Sequence, residues 1–396
     1  MHEDDVARAR AETPGCADVI HLNNAGAALP PAGVTDTVVE HLRAEARRGG
    51  YEAAAAAGPA LAATYDSFAR LLNADSTDIA LMDSATTAWQ AVFYSLPFGP
   101  GDRILTCRTE YTSNAIAYLQ VARRTGAEVE FVANDESGQL DVADLARRMD
   151  DRVRLIALTH VPSHTGLVNP AEEVGRIAQD AGVPFLLDAC QSAGQLPLDV
   201  AVLGCDALSG TGRKFLRGPR GTGFLYVSPR LRDDLEPSRL DMHSADWTAP
   251  EEYRVRADAR RFETWEYDVA GRLGLGAAVD YALSWGLPAI EARIGRLAGH
   301  LRAELSQVPG VTVLDRGVRQ CGIVSFAVAG RSAAEVQQGL RTAAINTSIA
   351  AGNLAQYDLV PRGVADIVRA SVHYYNTVEE LDRMVAETDH IAGTAA

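Results

Sequence analysis

The chain has 396 residues, of which 47% are hydrophobic and 22% charged, a composition typical of a globular enzyme with two domains of unequal size. Its net charge of −15 argues against nucleic acid and anionic membranes as partners, because a phosphate surface attracts basic proteins. No apolar stretch is long enough to cross a bilayer, and the acidic N-terminus does not resemble a signal peptide. The five cysteines form no C-x-x-C pair, which favours reduced thiols and a cytoplasmic location.

Strand and helix patterns alternate from about residue 60 to residue 228. An alanine tract over residues 53–57 favours a helix. Further helices are expected over residues 62–72, 85–96, 115–125, 142–149 and 171–181. Largely apolar strands are expected over residues 103–107, 128–132, 153–159, 184–188, 206–209 and 222–227. This alternation predicts an α/β fold in which helices cover both faces of a mostly parallel sheet.

The pattern changes past residue 240. A polar stretch over residues 241–260 is expected to form a loop over the site. Helices are expected over residues 270–285, 288–307, 333–342 and 378–392, and short strands over 311–314, 322–328 and 366–372. These elements predict a smaller C-terminal α+β domain. We divide the chain into an N-terminal arm (residues 1–20), a large domain (21–265) and a small domain (266–396).

One residue, Lys214, is the only lysine in a chain that otherwise places its positive charge on arginine. Lysine can form an imine with an aldehyde, which arginine cannot. Lys214 follows a predicted strand, and the strand before that one ends at Asp188. Ligands of such sheets bind at the carboxyl ends of the strands. An amine and a carboxylate in these places suit pyridoxal 5'-phosphate (PLP), which needs a Schiff base and a partner for its protonated ring nitrogen.

These motifs resemble the class V aminotransferase branch of the fold type I PLP enzymes, which includes the cysteine desulfurases. The resemblance covers nearly the whole chain. It implies a large domain with a mostly parallel, seven-stranded type of sheet. It also implies PLP as the cofactor, an α-amino acid as the substrate, no metal, and a homodimer whose sites are completed across the subunit interface.

The resemblance assigns a role to each residue around the cofactor. Lys214 would form the Schiff base, Asp188 would pair with the ring nitrogen, and Gln191 would hydrogen-bond the ring hydroxyl. Residues 83–88 begin a helix and resemble the family's Gly-Ala-Thr-Glu segment, and a helix N-terminus binds phosphate. The implied phosphate ligands are Ala85, Thr86, Thr87, Thr211 and Arg213. The family usually carries histidine in place of Arg213, and arginine is an equally good phosphate donor.

Other residues are assigned to the substrate side. Tyr111 falls where relatives carry a histidine that lies flat over the ring, and it would supply the same aromatic face. Residues 160–170 match the loop beside the substrate, where Ser163 replaces an asparagine and His164 is the candidate catalytic histidine. Residues 369–377 resemble the signature whose arginine, here Arg369, holds the substrate carboxylate.

Two further segments are assigned by the resemblance. The segment over residues 22–26 lies beside the carboxylate-binding arginine in relatives, which adds Asn24 and Ala25 to the substrate side. Residues 261–266 correspond to a segment that reaches the partner subunit's site, so Trp265 or Glu266 is expected to act there. Each candidate also has an ordinary interpretation on its own, as a helix cap, a strand-end charge, an aromatic in a turn or a solvated loop residue.

The lack of a cysteine in one segment of the sequence indicates which reaction to expect. Desulfurases carry a mobile thiol ahead of the carboxylate-binding arginine, and residues 345–356 contain no cysteine, while Cys321 begins a predicted strand and should be packed. The Gly-Gly-Tyr at residues 49–51 resembles the ergothioneine-pathway C–S lyases that cleave hercynylcysteine sulfoxide, and isopenicillin N epimerase-like proteins share these features loosely. The sequence predicts a PLP-dependent C–S β-lyase acting on a cysteine S-conjugate or its sulfoxide. An amino-acid epimerase or racemase and an aminotransferase are the alternatives, ahead of a cysteine desulfurase and a non-enzymatic scaffold.

Overall fold

The structure, a computed structural model, describes residues 1–393. The strands, numbered in chain order, are β1 (Ile20–His21), β2 (Ile79–Met82), β3 (Arg103–Thr106), β4 (Glu128–Phe131), β5 (Val153–Thr159), β6 (Phe185–Asp188), β7 (Ala207–Thr211), β8 (Gly223–Val227), β9 (Ala245–Ala249), β10 (Glu252–Val255), β11 (Val311–Val313), β12 (Ile323–Val328), β13 (Ile345–Asn346), β14 (Ser348–Ala350) and β15 (Ile367–Ser371). The α-helices are α1 (Glu3–Ala11), α2 (Ala32–Arg48), α3 (Gly50–Ala56), α4 (Gly58–Leu72), α5 (Ala85–Phe93), α6 (Thr112–Thr125), α7 (Val142–Arg148), α8 (Ala171–Ala181), α9 (Val200–Leu203), α10 (Pro229–Asp234), α11 (Val269–Trp285), α12 (Leu287–Leu305), α13 (Ala333–Thr342) and α14 (Val378–Gly393).

A seven-stranded sheet in the order β2-β8-β7-β6-β5-β3-β4 forms the centre of the molecule. The strands β3 to β7 pair in parallel, whereas β8 is antiparallel to both of its neighbours. Its two faces are both buried, because Phe185 and Leu187 of β6 pack in one hydrophobic cluster and Leu186 packs in another. This confirms the predicted α/β fold with a mostly parallel sheet between helices.

The carboxyl ends of several parallel strands meet at one edge of this sheet. Thr159 ends β5, Asp188 ends β6 and Thr211 ends β7. The helix α5 begins three residues after the end of β2. The last residue of β2, Met82, pairs with Gly223 at the start of the antiparallel strand β8, so α5 begins at the same edge of the sheet. A Cβ atom on Gly223 would lie 2.5 Å from the backbone carbon of Ser84, so only glycine allows this close approach. This edge therefore places four elements around one cavity.

A second, smaller sheet has four antiparallel strands in the order β11-β12-β15-β14. The helices α12 and α13 pack against this sheet, and α14 packs against both of them, which confirms the predicted C-terminal α+β unit. The short strand β1 pairs with β13 and joins the N-terminal segment to this unit. The long helix α11 packs against the helices α2 and α4, which precede the large sheet in the sequence. The domain boundaries at residues 20 and 265 stay predictions.

The expected loop over residues 241–260 is wrong. Strands β9 and β10 form a hairpin joined by a two-residue turn, and its aromatic residues Trp247 and Tyr253 face each other across the strands. Aromatic cross-strand pairs stabilise a hairpin, which the polar composition of the stretch concealed. Most of its side chains are exposed, and none lines the cavity at the sheet edge.

No single helix in the described part of the chain is long and apolar enough to cross a membrane. Only α11 and α12 taken together reach that length and composition, and they are bent by 79° relative to each other.

Candidate active site

A cavity lies at the carboxyl edge of the large sheet. It is lined by Asp83, Ser84, Ala85, Thr86, Tyr111, Asn114, Thr159, Val161, Ser163, Asp188, Cys190, Gln191, Thr211, Arg213, Lys214, Gly221 and Thr222. Nine of the residues predicted from the sequence are in this lining, namely Ala85, Thr86, Tyr111, Ser163, Asp188, Gln191, Thr211, Arg213 and Lys214. Five others, Asn24, Ala25, Thr87, His164 and Arg369, are not among the lining residues.

Lys214 lies in the tight turn that follows β7. The turn is closed by hydrogen bonds from the N–H of Arg217 to the carbonyl of Lys214 and from Gly218 to Gly212. The Lys214 side chain is buried, and its Nζ lies 6.0 Å from the centre of the Tyr111 ring. Burial lowers the pKa of Lys214, which favours the neutral amine. A neutral amine is the nucleophilic form of this side chain.

Asp188 is held by a hydrogen bond to each carboxylate oxygen. Its Oδ1 accepts the N–H of Cys190 at 2.9 Å, and its Oδ2 accepts the side-chain amide of Asn114 at 3.1 Å. These bonds fix the plane of the carboxylate at the sheet edge. Asn114 was not predicted as a site residue. Its position three residues after Tyr111, in the first turn of α6, was the only signal, because asparagine is a poor former of helix interiors.

The N-terminus of α5 supplies backbone donors to the cavity. Ser84 caps this helix, since its hydroxyl accepts the N–H of Thr87 and its carbonyl accepts the N–H of Ala88. The N–H groups of Ala85 and Thr86 have no acceptor among residues 1–393. Thr87 therefore serves the cap itself, and its hydroxyl also contacts Ser84 at 2.9 Å. The two unpaired N–H groups and the helix dipole favour an anion at this end of the cavity.

Polar side chains on the other walls of the cavity have hydrogen-bonding atoms that remain available to a ligand. The amide nitrogen of Gln191 donates to the carbonyl of Ala25 at 3.1 Å, and its Oε1 is buried without a partner in the described part of the chain. Arg213 donates to the carbonyl of Gly26, which uses only part of its guanidinium. Thr211 donates its hydroxyl to the carbonyl of Thr222 at 3.3 Å. Gln191 and Arg213 can thus bind a ligand with oxygen atoms.

Arg369 lies directly behind the cavity wall. Its guanidinium donates to the carbonyl of Ser163 at 2.7 Å and to the side chain of Asn23 at 3.3 Å, while its Nε is buried without a partner among the described residues. Burial and the nearby charge of Arg213 lower the pKa of Arg369 to about 10, which still leaves it charged at neutral pH. A buried guanidinium with unused donors is suited to an anionic group such as a carboxylate.

The predicted pair Asn24 and Ala25 is displaced by one residue. The side chain of Asn24 bonds to the carbonyl of Ser371 at 2.7 Å and accepts the hydroxyl of Tyr375 at 2.5 Å, so it has a structural role. Asn23 is the residue that contacts Arg369. Residue 23 forms a bridge with Ser371, and residue 24 begins a turn in which the N–H groups of Gly26 and Ala27 donate to the carbonyl of Asn23.

His164 is also placed away from the cavity. Its Nε2 lies 2.8 Å from Oδ2 of Asp358, and both side chains are buried. This contact joins the loop after β5 to the loop before β15. His164 thus lies outside the cavity lining and is held by Asp358, and its catalytic role stays a prediction.

Tyr51, Trp265 and Glu266 lie in a separate surface pocket. They line it together with His243 and Tyr267, among other residues. Tyr51 is 78% exposed and Trp265 is 48% exposed. Their contribution to the site of a partner subunit stays a prediction.

The residues around the cavity fit PLP. The cavity holds one buried lysine for the aldehyde, and Asp188 is a carboxylate suited to a protonated ring nitrogen. The unpaired N–H groups of α5 and the guanidinium of Arg213 suit the phosphate. The orphaned Oε1 of Gln191 marks a polar position that the protein itself leaves unsatisfied.

The comparisons with known proteins agree with this geometry. The model of the family described as aminotransferase class-V matches residues 20–384. A probable cysteine desulfurase from Methanothermobacter thermautotrophicus is 30% identical over 99% of this chain and 99% of its own length. The apo structure of the cysteine desulfurase from Thermococcus onnurineus NA1 has a TM-score of 0.91 and 27% identity, covering 100% of this chain and 99% of that chain.

A second solved protein, C-DES, is similar to this chain in two structures. One is a variant with glycine covalently linked to its PLP cofactor, with 26% identity and a TM-score of 0.86 over 96% of this chain and 98% of that chain. The other is the cystine C–S lyase C-DES in complex with its product cysteine persulfide, with 25% identity and a TM-score of 0.86 over 95% of this chain and 99% of that chain. The family match spans most of the sequence, and the cavity contains the amine, the carboxylate and the anion donors that its cofactor requires. The chain therefore belongs to the class V aminotransferase family and is a PLP-dependent enzyme.

Proposed function

We propose that this enzyme is a C–S β-lyase that acts on a cysteine S-conjugate or its sulfoxide and releases pyruvate and ammonia. The observation that carries the proposal is the composition of the segment before β15. Residues 345–356 contain no cysteine, so this segment has no thiol that could receive sulfur from a substrate. In the proposed reaction, carbon–sulfur cleavage releases the sulfur-containing group to solvent.

The segment before β15 is also fixed to the large domain. The hydroxyl of Thr112 donates to the carbonyl of Leu354 at 2.7 Å, and the ring of Tyr357 stacks on Phe131 with 3.6 Å between the centroids. Asp358 pairs with the buried His164 at 2.8 Å. These contacts hold the segment beside the beginning of α6, next to Tyr111. A fixed segment suits a wall of the site better than a mobile sulfur carrier.

The remaining cysteines offer little as carriers. Cys107, Cys205 and Cys321 are buried, and burial raises the pKa of each thiol. Cys190 lines the cavity, and burial together with the nearby Asp188 raises the pKa of its thiol as well. A thiol with a raised pKa is a poor nucleophile, because the thiolate is the reactive form.

PLP, when bound, supplies an aldehyde for the substrate amine and a ring that accepts the electron pair left at Cα. Arg369 binds the substrate carboxylate and orients Cα, and Lys214 Nζ takes the Cα proton. Asp188 holds a proton on the ring nitrogen, which keeps the ring electron-withdrawing. With the cofactor bound, these residues would promote loss of the sulfur group from Cβ with its bonding electron pair, and water would convert the released enamine to pyruvate and ammonia.

A cysteine desulfurase is the second candidate. It is favoured by the relatives, which include a probable cysteine desulfurase at 30% identity, and by Cys190, the one cysteine in the cavity lining.

Two resemblances support the proposed lyase. The name of C-DES, a cystine C–S lyase, supports elimination within the same fold. The resemblance at residues 49–51 favours a sulfoxide substrate of the ergothioneine-pathway type.

The proposal includes a homodimer in the cytoplasm. Tyr51 and Trp265 are large exposed side chains around one surface pocket, as expected of a surface that pairs with a second copy. All five cysteines are free, which suits a reducing compartment.

Product analysis tests the proposal. The enzyme is incubated in D₂O with cysteine S-conjugates and their sulfoxides, and the products are identified by NMR and by enzymatic assays of pyruvate and ammonia. A β-lyase gives pyruvate and ammonia in equal amounts. Recovery of the intact substrate with deuterium and inversion at Cα would replace the lyase by an epimerase, and a 2-oxo acid that retains the sulfur side chain would replace it by an aminotransferase.

A further inference from the structure

A second carboxylate, that of Glu110, is buried directly behind the active site. Glu110 lies between β3 and α6, and it is not among the residues that line the cavity. The proposed reaction assigns no role to Glu110. A buried carboxylate is costly to a protein unless its oxygens are fully hydrogen-bonded, so its surroundings show what the chain uses it for.

Five donors surround the Glu110 carboxylate. Its Oε1 accepts the N–H of Tyr111 at 2.7 Å, the amide of Asn114 at 3.0 Å and the hydroxyl of Thr159. Its Oε2 accepts the hydroxyls of Thr106 at 2.6 Å and Tyr118 at 2.9 Å. Burial raises the pKa of Glu110, and the bonds from Thr106 and Thr159 oppose that effect. Five donors converging on two oxygens match an ionised carboxylate, which only accepts hydrogen bonds.

One of these donors links Glu110 to the acid of the active site. The amide nitrogen of Asn114 lies 3.0 Å from Oε1 of Glu110 and 3.1 Å from Oδ2 of Asp188. An amide nitrogen carries two hydrogens, so it can donate one to each carboxylate. Rotation of the Asn114 side chain would break both bonds. Glu110 thereby fixes the amide that in turn fixes Asp188.

A different donor links Glu110 to the aromatic residue over the lysine. The N–H of Tyr111 donates to Oε1 of Glu110, and Tyr111 is the residue that precedes the first turn of α6. Its ring faces Lys214 across 6.0 Å. Because this hydrogen bond fixes the backbone of Tyr111, it also fixes the position from which the Tyr111 side chain extends to the cavity.

We infer that Glu110 is a positioning residue that orients Asp188, through Asn114, and Tyr111, through its backbone N–H, toward PLP. The negative charge of Glu110, two hydrogen bonds away from Asp188, also favours positive charge on the cofactor and its lysine. The inference rests on PLP as the cofactor and is independent of the reaction that follows. Its failure would leave the proposed lyase activity untouched.

The substitution Glu110→Gln tests the inference, because it removes the charge and keeps the shape. The amide nitrogen of the glutamine takes the place of one carboxylate oxygen, and it cannot accept the hydrogen bonds that this oxygen accepts in the wild type. We expect PLP to bind about tenfold more weakly, the effect of losing one hydrogen bond to a charged group. We also expect the visible absorbance band of lysine-bound PLP to titrate at a lower pH, because less negative charge stabilises its protonated form.

Asp206→Asn is the matched control. It replaces a buried carboxylate at the opposite edge of the sheet, where Asp206 pairs with Arg230 at 2.6 Å. Its PLP affinity and the midpoint of its visible band should equal those of the wild type, even if its melting temperature falls. An equal change in Asp206→Asn and Glu110→Gln would overturn the inference, because both substitutions would then act only through stability.

Asn114→Leu provides a second variant in case Glu110→Gln does not fold. It retains Glu110 and removes the link to Asp188. We expect its PLP affinity to fall as in Glu110→Gln, because Asp188 loses the amide that orients its carboxylate. Titration of the folded protein with PLP measures this affinity. Wild-type PLP affinity in Asn114→Leu, or in a folded Glu110→Gln variant, would refute the inference.

Discussion

At the scale of single residues, the proposed chemistry depends most on Lys214 and Asp188. Lys214 is buried, and the burial lowers its pKa toward the neutral amine that reacts with an aldehyde. Asp188 keeps two hydrogen bonds, from Cys190 and Asn114, that fix its carboxylate. Each residue can be tested by a substitution that preserves the rest of the cavity.

Lys214→Ala should abolish the visible absorbance band of the enzyme incubated with PLP. The chain has no other lysine to replace it, so the loss should be complete. Lys214→Arg is the matched control, since arginine keeps a positive charge and cannot form the covalent linkage. Spectra of both variants check the prediction, and a visible band that survives in either one would contradict the role of Lys214.

Asp188→Asn should bind PLP and fold, yet lose at least about a hundredfold in kcat, because the ring nitrogen loses the group that keeps it protonated. Asp206→Asn is the control, as Asp206 is a buried carboxylate at the opposite edge of the sheet, where it pairs with Arg230 at 2.6 Å. We expect the control to keep its kcat. Wild-type turnover in Asp188→Asn would show that Asp188 does not hold the ring proton.

The sequence predicted Lys214, Asp188 and Arg369 because each sits in a motif of characteristic spacing. It placed the segment over residues 22–26 beside Arg369 but named Asn24 and Ala25 there and not Asn23, and it did not predict Asn114. The partners of Asn23 and Asn114, Arg369 and Asp188, are 346 and 74 residues away along the chain. Contacts of this kind follow from the packing of strands and helices and leave no local pattern. Asn23 contacts Arg369 where Asn24 was named, because a turn begins directly after residue 23, and the motif alone does not define where that turn begins.

At the scale of the elements, periodicity predicted six of the seven strands of the large sheet, all except β2, and most of its helices. The strongest patterns are the apolar strands β5 and β6, which are buried on both faces. The hairpin β9–β10 and the short strand β1 were not predicted, because β9 and β10 are polar on the surface and β1 has only two residues. The strand β1 owes its pairing to β13, which is distant in sequence.

The segment before β15 depends on a buried contact between two loops. Asp358→Asn should lower the free energy of unfolding by about 1–3 kcal/mol, because His164 would lose its charged partner in a buried site. The same variant should increase hydrogen exchange and proteolysis over residues 351–363. Urea unfolding and peptide-resolved hydrogen exchange measure these two effects.

Asp382→Asn is the control for that experiment. Asp382 pairs with His300 at 2.6 Å, but its side chain is 55% exposed, and surface ion pairs contribute only about 0–1 kcal/mol. If Asp358→Asn were no more destabilising than Asp382→Asn and left hydrogen exchange unchanged, the buried pair would not fix the segment.

At the scale of the whole molecule, buried side chains join the N-terminal arm, the lysine turn and the C-terminal unit. The guanidinium of Arg217 donates to Thr13 at 2.5 Å, to the carbonyl of Leu29 at 2.8 Å and to Tyr374 at 2.7 Å. Arg217 lies three residues after Lys214 and has a positive φ of 62°, a strained conformation for arginine. These bonds stabilise the turn that carries Lys214 in its observed shape.

Buried histidines should make the folded protein sensitive to acid. Burial lowers the pKa of His160 to about 3, and it also lowers the pKa values of His21 and His373. Below about pH 6.5 the unfolded chain binds protons that the folded chain does not, so stability falls as the pH decreases, by up to about 1.4 kcal/mol per pH unit for each histidine.

Urea unfolding of His160→Leu between pH 7 and pH 5 checks this prediction. Stability should decrease less steeply with acidification than in the wild type, by the contribution of one histidine. His2→Gln is the control, because His2 is exposed. An identical pH dependence in His160→Leu and the wild type would show that His160 is not neutral in the folded state.

In the proposed reaction, the enzyme releases the sulfur group by elimination and does not transfer sulfur to its own thiol. The direct measurement is single-turnover product analysis with a cysteine S-conjugate sulfoxide and with cysteine itself, combined with the intact mass of the protein. We predict pyruvate and ammonia in equal amounts, no alanine, and an unchanged protein mass in both the wild type and Cys190→Ala. Alanine, together with a protein mass raised by one sulfur atom in the wild type and not in Cys190→Ala, would contradict the claim and establish a desulfurase that uses Cys190.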